Sequence, residues 1–189
     1  YLVSVSDDST ATGAWHNWAL PSHVNGNTSA GNWGDYQGVG FSKDALFITS
    51  NQFTFAGSYN YQKLRIVPFS QIYVGTPGAV NWKDIWDIRH PGGNEVGFGI
   101  RPTYSFSSGS DYYLVARSPF VTGTYFTVYK ITDPVNNPVM TGTNVAVTSY
   151  SDPENAGQLG GTQALESGGS NLRHEPIFRN NKLYFVHSV

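Results

Sequence analysis

The chain contains no cysteine, which excludes disulfides, zinc–thiolate centres, iron–sulfur clusters and cysteine nucleophiles together. It is also poor in charge: Asp, Glu, Lys and Arg make up 13% of 189 residues, about half the usual share. Intrinsic disorder and long exposed helices both need far more charge than this. The formal net charge is −2, so the basic footprint of a nucleic-acid binder is missing and no nucleic acid is expected as a partner. No apolar run reaches the ~18 residues of a membrane helix, and no membrane span is expected. The chain opens on Tyr1 without a signal-peptide pattern, which reads as a processed chain or a segment of a longer protein.

Aromatic residues are abundant at 15%, together with 21 glycines and 10 prolines. The length fits one domain. Richness in Ser, Thr, Asn, Gly and Tyr with little Lys or Glu is the composition of an extracellular β-protein. Helical periodicity is nearly absent. Apolar residues come in short β-branched or aromatic bursts bounded by turn formers: Leu2 to Ser6, Leu46 to Ser50, Tyr113 to Arg117 and Leu183 to His187. A second type of burst alternates with period two. In Lys63-Leu64-Arg65-Ile66-Val67 the apolar Leu64 and Ile66 share one face and the two cations the other. Phe126 to Ile131 behaves similarly, with Ile131 interrupting the polar face.

These bursts recur as a unit: a short segment, a polar turn, a hydrophobic strand, a loop, then an alternating strand near proline. The turns Ser42-Lys43-Asp44, Ser107 to Asp111 and Asn180-Asn181-Lys182 occupy corresponding places. The approximate units are 1–36, 37–99, 100–171 and 172–189, with Val145 and Val147 marking an outer strand and 151–171 an inter-unit loop. The stretch 72–86 is a candidate for further strands. Repeats of three or four antiparallel strands predict an all-β protein of β-propeller type. It is expected to be partial, about four blade units of which two are incomplete. The alternative is a β-sandwich, in which short strands recur every 8–12 residues. Open sheet edges predict that the partners are the remainder of a longer propeller chain or neighbouring chains.

The run Ser4 to Trp18 carries a Ser-x-Asp turn followed by Gly13 and Trp15, and Asp35-Tyr36 leads into Leu46 to Phe53. With Lys130 to Pro134 and Leu183 to Ser188, this pattern resembles bacterial extracellular propeller domains of the sialidase-like (BNR, or Asp-box) superfamily. The turn between Asp8 and Gly13 is longer than the tight Asp-box hairpin. The resemblance implies a propeller fold and a secreted or cell-surface location. It implies no reaction, since the superfamily holds both hydrolases and non-catalytic domains. Asp7 and Asp8 are read as residues satisfying their own turn.

Sialidase chemistry would require an Arg cluster gripping a carboxylate, a Tyr–Glu pair and an acid. Arg101 and Arg179 hold equivalent positions in successive units, so both could face a common centre. Arg173, His174 and Glu175 form the densest polar cluster, whose simpler reading is an inter-unit salt bridge. No residue is assigned a catalytic role. The five histidines show no zinc spacing, and calcium is possible only through loop oxygens that no motif supports, so no cofactor and no metal is assigned. No phosphate-binding loop and no nucleophile elbow occurs; the pairs Gly92-Gly93, Gly160-Gly161 and Gly168-Gly169 lack the strand-then-helix context. Asn27-Thr28-Ser29 fits a glycosylation acceptor. Of the five tryptophans, Trp15, Trp18, Trp82 and Trp86 are expected to pack in the core. Trp33, in the apparent loop Gly31 to Asp35, is the candidate sugar platform, with Asp35 beside it for hydroxyl groups. The expected function is a non-catalytic module binding a glycan or protein ligand. The alternatives are a fragment of a sialidase-like hydrolase and a structural subunit of an extracellular assembly.

Overall fold

The computed structural model describes residues 1–73, 78–92 and 95–189. The fold is all-β, with 50% strand and 2% helix in several sheets, none of them closed. The strands β1 (Leu2–Ser6) and β2 (Trp15–Ala19) form an antiparallel hairpin, and β3 (Val24–Asn25) and β4 (Thr28–Ser29) a minimal one. Then β5 (Asn32–Phe41), β6 (Ala45–Thr54), β7 (Tyr59–Pro68) and β8 (Lys83–Ile85) form an antiparallel meander, with the single turn α1 (Phe69–Ile72) before the last strand. The strands β9 (Arg101–Pro102) and β10 (Tyr104–Ser105) are halves of one extended segment. With β9, the strands β11 (Tyr112–Arg117), β12 (Thr122–Thr132) and β13 (Val139–Ser151) form a second antiparallel meander. A last hairpin joins β14 (Ile177–Arg179) to β15 (Lys182–Tyr184).

These groups stack face to face in chain order. Val3, Trp18 and Leu20 of the first hairpin segment pack on Ile48 and Val67 of β6 and β7. The opposite face of the same strands, through Phe47, Leu64 and Ile66, packs on Tyr112, Leu114, Tyr129 and Ile131 of the second meander. The far face of that meander, through Val115 and Phe126, meets Leu172, Leu183 and Phe185. Each buried side chain of this size contributes about 1.5–3 kcal/mol relative to exposure. Both meanders are therefore covered on both faces, whereas a two-layer sandwich leaves the outer face of each sheet to solvent. The strand β13 lies at the sheet's edge and is exposed along most of its length, Val145 and Val147 included.

The first strands of successive layers are joined through their backbones. The strand β10 pairs parallel with both β5 and β14. Phe41 donates its N–H to the Thr103 carbonyl at 3.0 Å, Tyr104 to Pro176 at 2.8 Å and Phe106 to Phe178 at 2.9 Å. The segment from Arg101 to Ser105 thus belongs to two sheets, through β9 to one and through β10 to the other. Such proximity demands a bare backbone at Gly40, where a β-carbon would overlap the Thr103 carbonyl oxygen and the Tyr112 hydroxyl.

One sequence expectation is corrected here. Gly31 to Asp35 is not a loop, because β5 begins at Asn32. Its glycines carry no side chains to display an alternating pattern, so the strand is silent in the sequence, and the expected unit boundary at 36/37 falls inside it. The stretch 72–86 supplies one further strand, the short β8, after Ile72 ends α1; residues 74–77 lie outside the described residues, as does Gly93. The cations of β7 face no solvent. Lys63 and Arg65 are both fully buried beneath the chain from Pro21 to Val24. Arg65 donates through Nε and Nη2 to the two Asp84 carboxylate oxygens at 2.9 and 2.8 Å, and through Nη1 to the Pro21 carbonyl at 2.8 Å. Lys63 Nζ donates to the carbonyls of Ser22 and Val24 at 2.5 and 2.8 Å. The Trp82 ring lies 4.2 Å from the Arg65 guanidinium carbon. Asp84 pairs with Arg65, while the Lys63 ammonium is held by backbone carbonyls instead. Burial, opposed by Asp84 and reinforced by Arg65, lowers the Lys63 pKa to about 8.

Three outcomes follow from this packing. Gly40→Ala is expected to destabilise the protein by about 1–3 kcal/mol or more, read from urea denaturation midpoints. Arg65→Met leaves Asp84 buried and unpaired and is expected to cost about 3–5 kcal/mol, while the double change with Asp84→Leu recovers much of that loss. Because folded Lys63 releases its proton at lower pH than the unfolded chain, the unfolded state binds more protons above pH 8. Stability should therefore rise between about pH 8 and 9.5, and Lys63→Met should abolish that slope.

Candidate functional site

Two polar–aromatic constellations arise where the layers meet. The first joins the middle of β5, the start of β9 and the chain just before β14. A bulge in β5 between Asp35 and Gly38, with Tyr36 at φ 52°, turns the Tyr36 ring onto the Arg101 guanidinium, 4.1 Å from its carbon. The Arg101 side chain is buried. Its Nε donates to the Leu172 carbonyl at 3.1 Å, its Nη1 donates to the Gln37 carbonyl at 3.2 Å, and Nη1 lies 3.5 Å from Glu175 Oε1. The same carboxylate oxygen accepts the Val39 N–H at 3.3 Å. Arg173 Nη1 donates to the Tyr36 hydroxyl at 3.3 Å. Burial first, and the Glu175 carboxylate second, push the Tyr104 phenol above its ordinary value.

The residue types that sialidase chemistry needs do meet here, but their bonding points to a structural task. Arg101 commits Nε and Nη1 to two backbone carbonyls and Glu175, with its face on Tyr36, so it holds three chain segments together. Arg179 does not join it; that side chain is exposed on β14. Arg173 and His174 are exposed as well, and only Glu175 turns inward. The cluster therefore behaves as an interlayer ion pair.

The second constellation starts at Trp33. This residue sits on β5 opposite Phe53 of β6 and remains 40% exposed. Its ring stacks on Phe53 with centroids 5.3 Å apart, and its indole N–H donates to the Thr54 carbonyl at 3.2 Å. Phe53 meets Tyr59 of β7 edge-on at 5.5 Å, and Tyr59 meets Phe98 at 5.1 Å. Phe98 is again 40% exposed, so a continuous aromatic row has both ends in solvent. Tyr59 donates its hydroxyl to the Gly97 carbonyl, which fixes the ring, and burial pushes its phenol up so that it stays neutral. Asp35 is exposed two positions from Trp33. One of its oxygens accepts the Tyr36 N–H at 2.8 Å, within the bulge. Asp8 likewise binds the backbone N–H and hydroxyl of Thr10 at 2.8 and 2.7 Å inside its own turn.

Next to Phe98 the row opens into a cleft of about 330 Å³ bordered by Tyr59, Val96, His90, Arg117, Ser118 and Pro119. Its polar members come from separate elements: His90 follows β8, Arg117 ends β11. Arg117 donates Nε to Asn171 Oδ1 at 2.9 Å and Nη1 to the Phe120 carbonyl at 3.0 Å, and Nη1 stands 3.6 Å from Asp152. The Asp152 carboxyl is held low chiefly by its hydrogen bonds from Ser170. Sequence reading reached Trp33 and missed Phe53, Tyr59, Phe98, His90 and Arg117. The one available signal was aromatic density, since no spacing relates residues drawn from five separate segments.

The remaining tryptophans divide. Trp18 is buried and donates its N–H to the Gly78 carbonyl at 3.1 Å, and Trp82 lies on Arg65. Trp15 and Trp86 are not core residues but half-exposed, Trp15 because alternation along β2 turns 16 and 18 inward and 15 outward. Among the described residues no three His, Asp or Glu side chains gather as a metal site, and no helix is long and apolar enough to cross a membrane. No known family model, no curated protein and no solved structure matches the chain.

Proposed function

We propose that this chain is a β-propeller module that binds glycans without catalysing a reaction, at the cell surface or outside the cell. The propeller reading is supported by two four-stranded meanders stacked face to face, with their first strands parallel and adjacent. The extracellular reading is supported by the composition, rich in Ser, Thr, Asn, Gly and Tyr and poor in Lys and Glu. The observation that carries the binding reading is the aromatic row from Trp33 to Phe98, exposed at both ends and rigidly held between them. Exposed aromatic surface at the two ends, on Trp33 and Phe98, matches the apolar C–H faces of sugar rings, and the rings packed between them hold the two in place. A protein ligand would favour a broader apolar patch with Arg anchors. The row comprises four rings, with the exposed Asp35 carboxylate two positions from Trp33.

The test is binding of cellotetraose, chitotetraose and laminaritetraose by calorimetry. At least one is expected to bind, and Trp33→Ala should weaken it about tenfold, the ~1.4 kcal/mol of one aromatic contact. Trp15→Ala, on the first hairpin and half-exposed, should leave affinity unchanged. Absence of binding across these sugars would defeat the reading. Release of reducing sugar, or turnover of a fluorogenic sialoside, would replace it with an enzymatic one.

A further inference from the structure

His90 lies almost fully buried at the base of the cleft and takes no part in the aromatic row. Its hydrogen bonds determine which ring nitrogen carries the proton. Asn144 Nδ2 donates to the Pro91 carbonyl at 3.4 Å, which turns Asn144 Oδ1 toward β12. Thr127 donates its hydroxyl proton to that oxygen at 2.8 Å. The Thr127 hydroxyl has a single proton, so toward His90 Nδ1, 2.8 Å away, it can only accept. Nδ1 is therefore the protonated nitrogen, and Nε2 carries the lone pair. Among the described residues Nε2 has no partner, and it is not sealed from solvent. Arg117 shows the same pattern. Its Nε and Nη1 are engaged, while Nη2 has no partner among the described residues.

A fixed acceptor and a fixed donor thus border one cleft beside the Phe98 and Tyr59 rings. The pairing of Arg117 with Asp152 offsets the Arg117 charge, so the cleft suits a ligand without a carboxylate, with a hydroxyl to donate and an oxygen to accept. We propose that the cleft between Phe98, His90 and Arg117 is a sugar-reading subsite: one pyranose hydroxyl donates to His90 Nε2, Arg117 Nη2 donates to a second sugar oxygen, and the ring's C–H face lies on Phe98. This inference rests on the glycan-binding reading and adds to it the residues that select the sugar. A volume of about 330 Å³ falls at the lower end of small-ligand sites, suited to one ring rather than a chain.

Burial first and Arg117 also lower the His90 pKa, while Glu95 opposes them, so the acceptor form persists through neutral pH. The other titratable groups against the imidazole, Tyr129 packed on it and Tyr59 across the cleft, are phenols whose burial keeps them neutral. Binding should therefore be level near pH 7 and fall in acid, when protonated Nε2 becomes a second donor beside the Arg117 cation.

The experiment uses the chain with the tetrasaccharides above. In the wild-type protein, the nitrogen-15 signals of His90 should identify the Nδ1–H tautomer, and the Nε2 signal should shift on saturation with the sugar that binds. Arg117→Lys and His90→Phe should each weaken that sugar at least tenfold and flatten discrimination among the three. If Trp33→Ala weakens binding while the Nε2 signal stays in place and both cleft variants bind as wild type, the subsite is wrong and the aromatic-platform reading survives. If no tetrasaccharide binds, the platform reading fails and takes the subsite with it. An Nε2–H tautomer would overturn the inference alone.

Discussion

Main-chain bridges between β5, β10 and β14 are the constraint on which the arrangement of layers depends. Backbone groups can pair only when two strands approach within about 5 Å, so side chains must be removed from the line of contact. Gly40 meets that demand opposite Thr103. The Thr103 carbonyl in turn accepts from both the Phe41 N–H and the Tyr112 hydroxyl, which ties the strand junction to the aromatic pair formed by Tyr112 and Phe47. Arg101 then seals the same junction from the other end by bonding to carbonyls on either side of it. Loss of the close approach would separate the layers and, with them, the two walls of the cleft.

The first hairpin is secured differently. Its contact with β6 and β7 is apolar around Val3, Trp18 and Ile48 and ionic around Lys63, Arg65 and Asp84. A buried ion pair adds little net stability over an apolar substitute, because desolvation offsets the attraction. Its directional bonds, however, admit one placement of the chain from Pro21 to Gly26. Pro21, Ser22 and Val24 present carbonyls to the cations, and Gly26 donates its N–H to Asp84 at 2.8 Å. That placement leads the chain into β5 in the register that sets Trp33 opposite Phe53. The ionic cluster thus acts at a distance on the aromatic row, through the path of the backbone rather than through contact.

The residues of the candidate surface were unequally legible. Trp33 stood out because tryptophan beside glycines has little to bury it. Phe53, Tyr59 and Phe98 could not be connected to it, since the row is created by cross-strand registers of β5 with β6 and β6 with β7. His90 looked like an isolated histidine without metal spacing. Its role depends on Thr127 and Asn144, which face each other only because β12 and β13 pair in one particular register. Period-two alternation placed Lys63 and Arg65 on the face opposite Leu64 and Ile66, but it reports two chemically different faces without saying whether the polar one is covered.

What the amino-acid order determined by itself was the all-β class, the bursts that became β1, β6, β11 and β15, and the polar turns between them. Those are local properties, set by β-branched and aromatic runs and by turn residues acting over a few positions. The tertiary structure alone decided which faces were buried, which strand edges touched, and which nitrogen of His90 holds its proton. Each of these depends on groups far apart in the chain being brought within hydrogen-bonding distance, and periodicity carries no information about that separation.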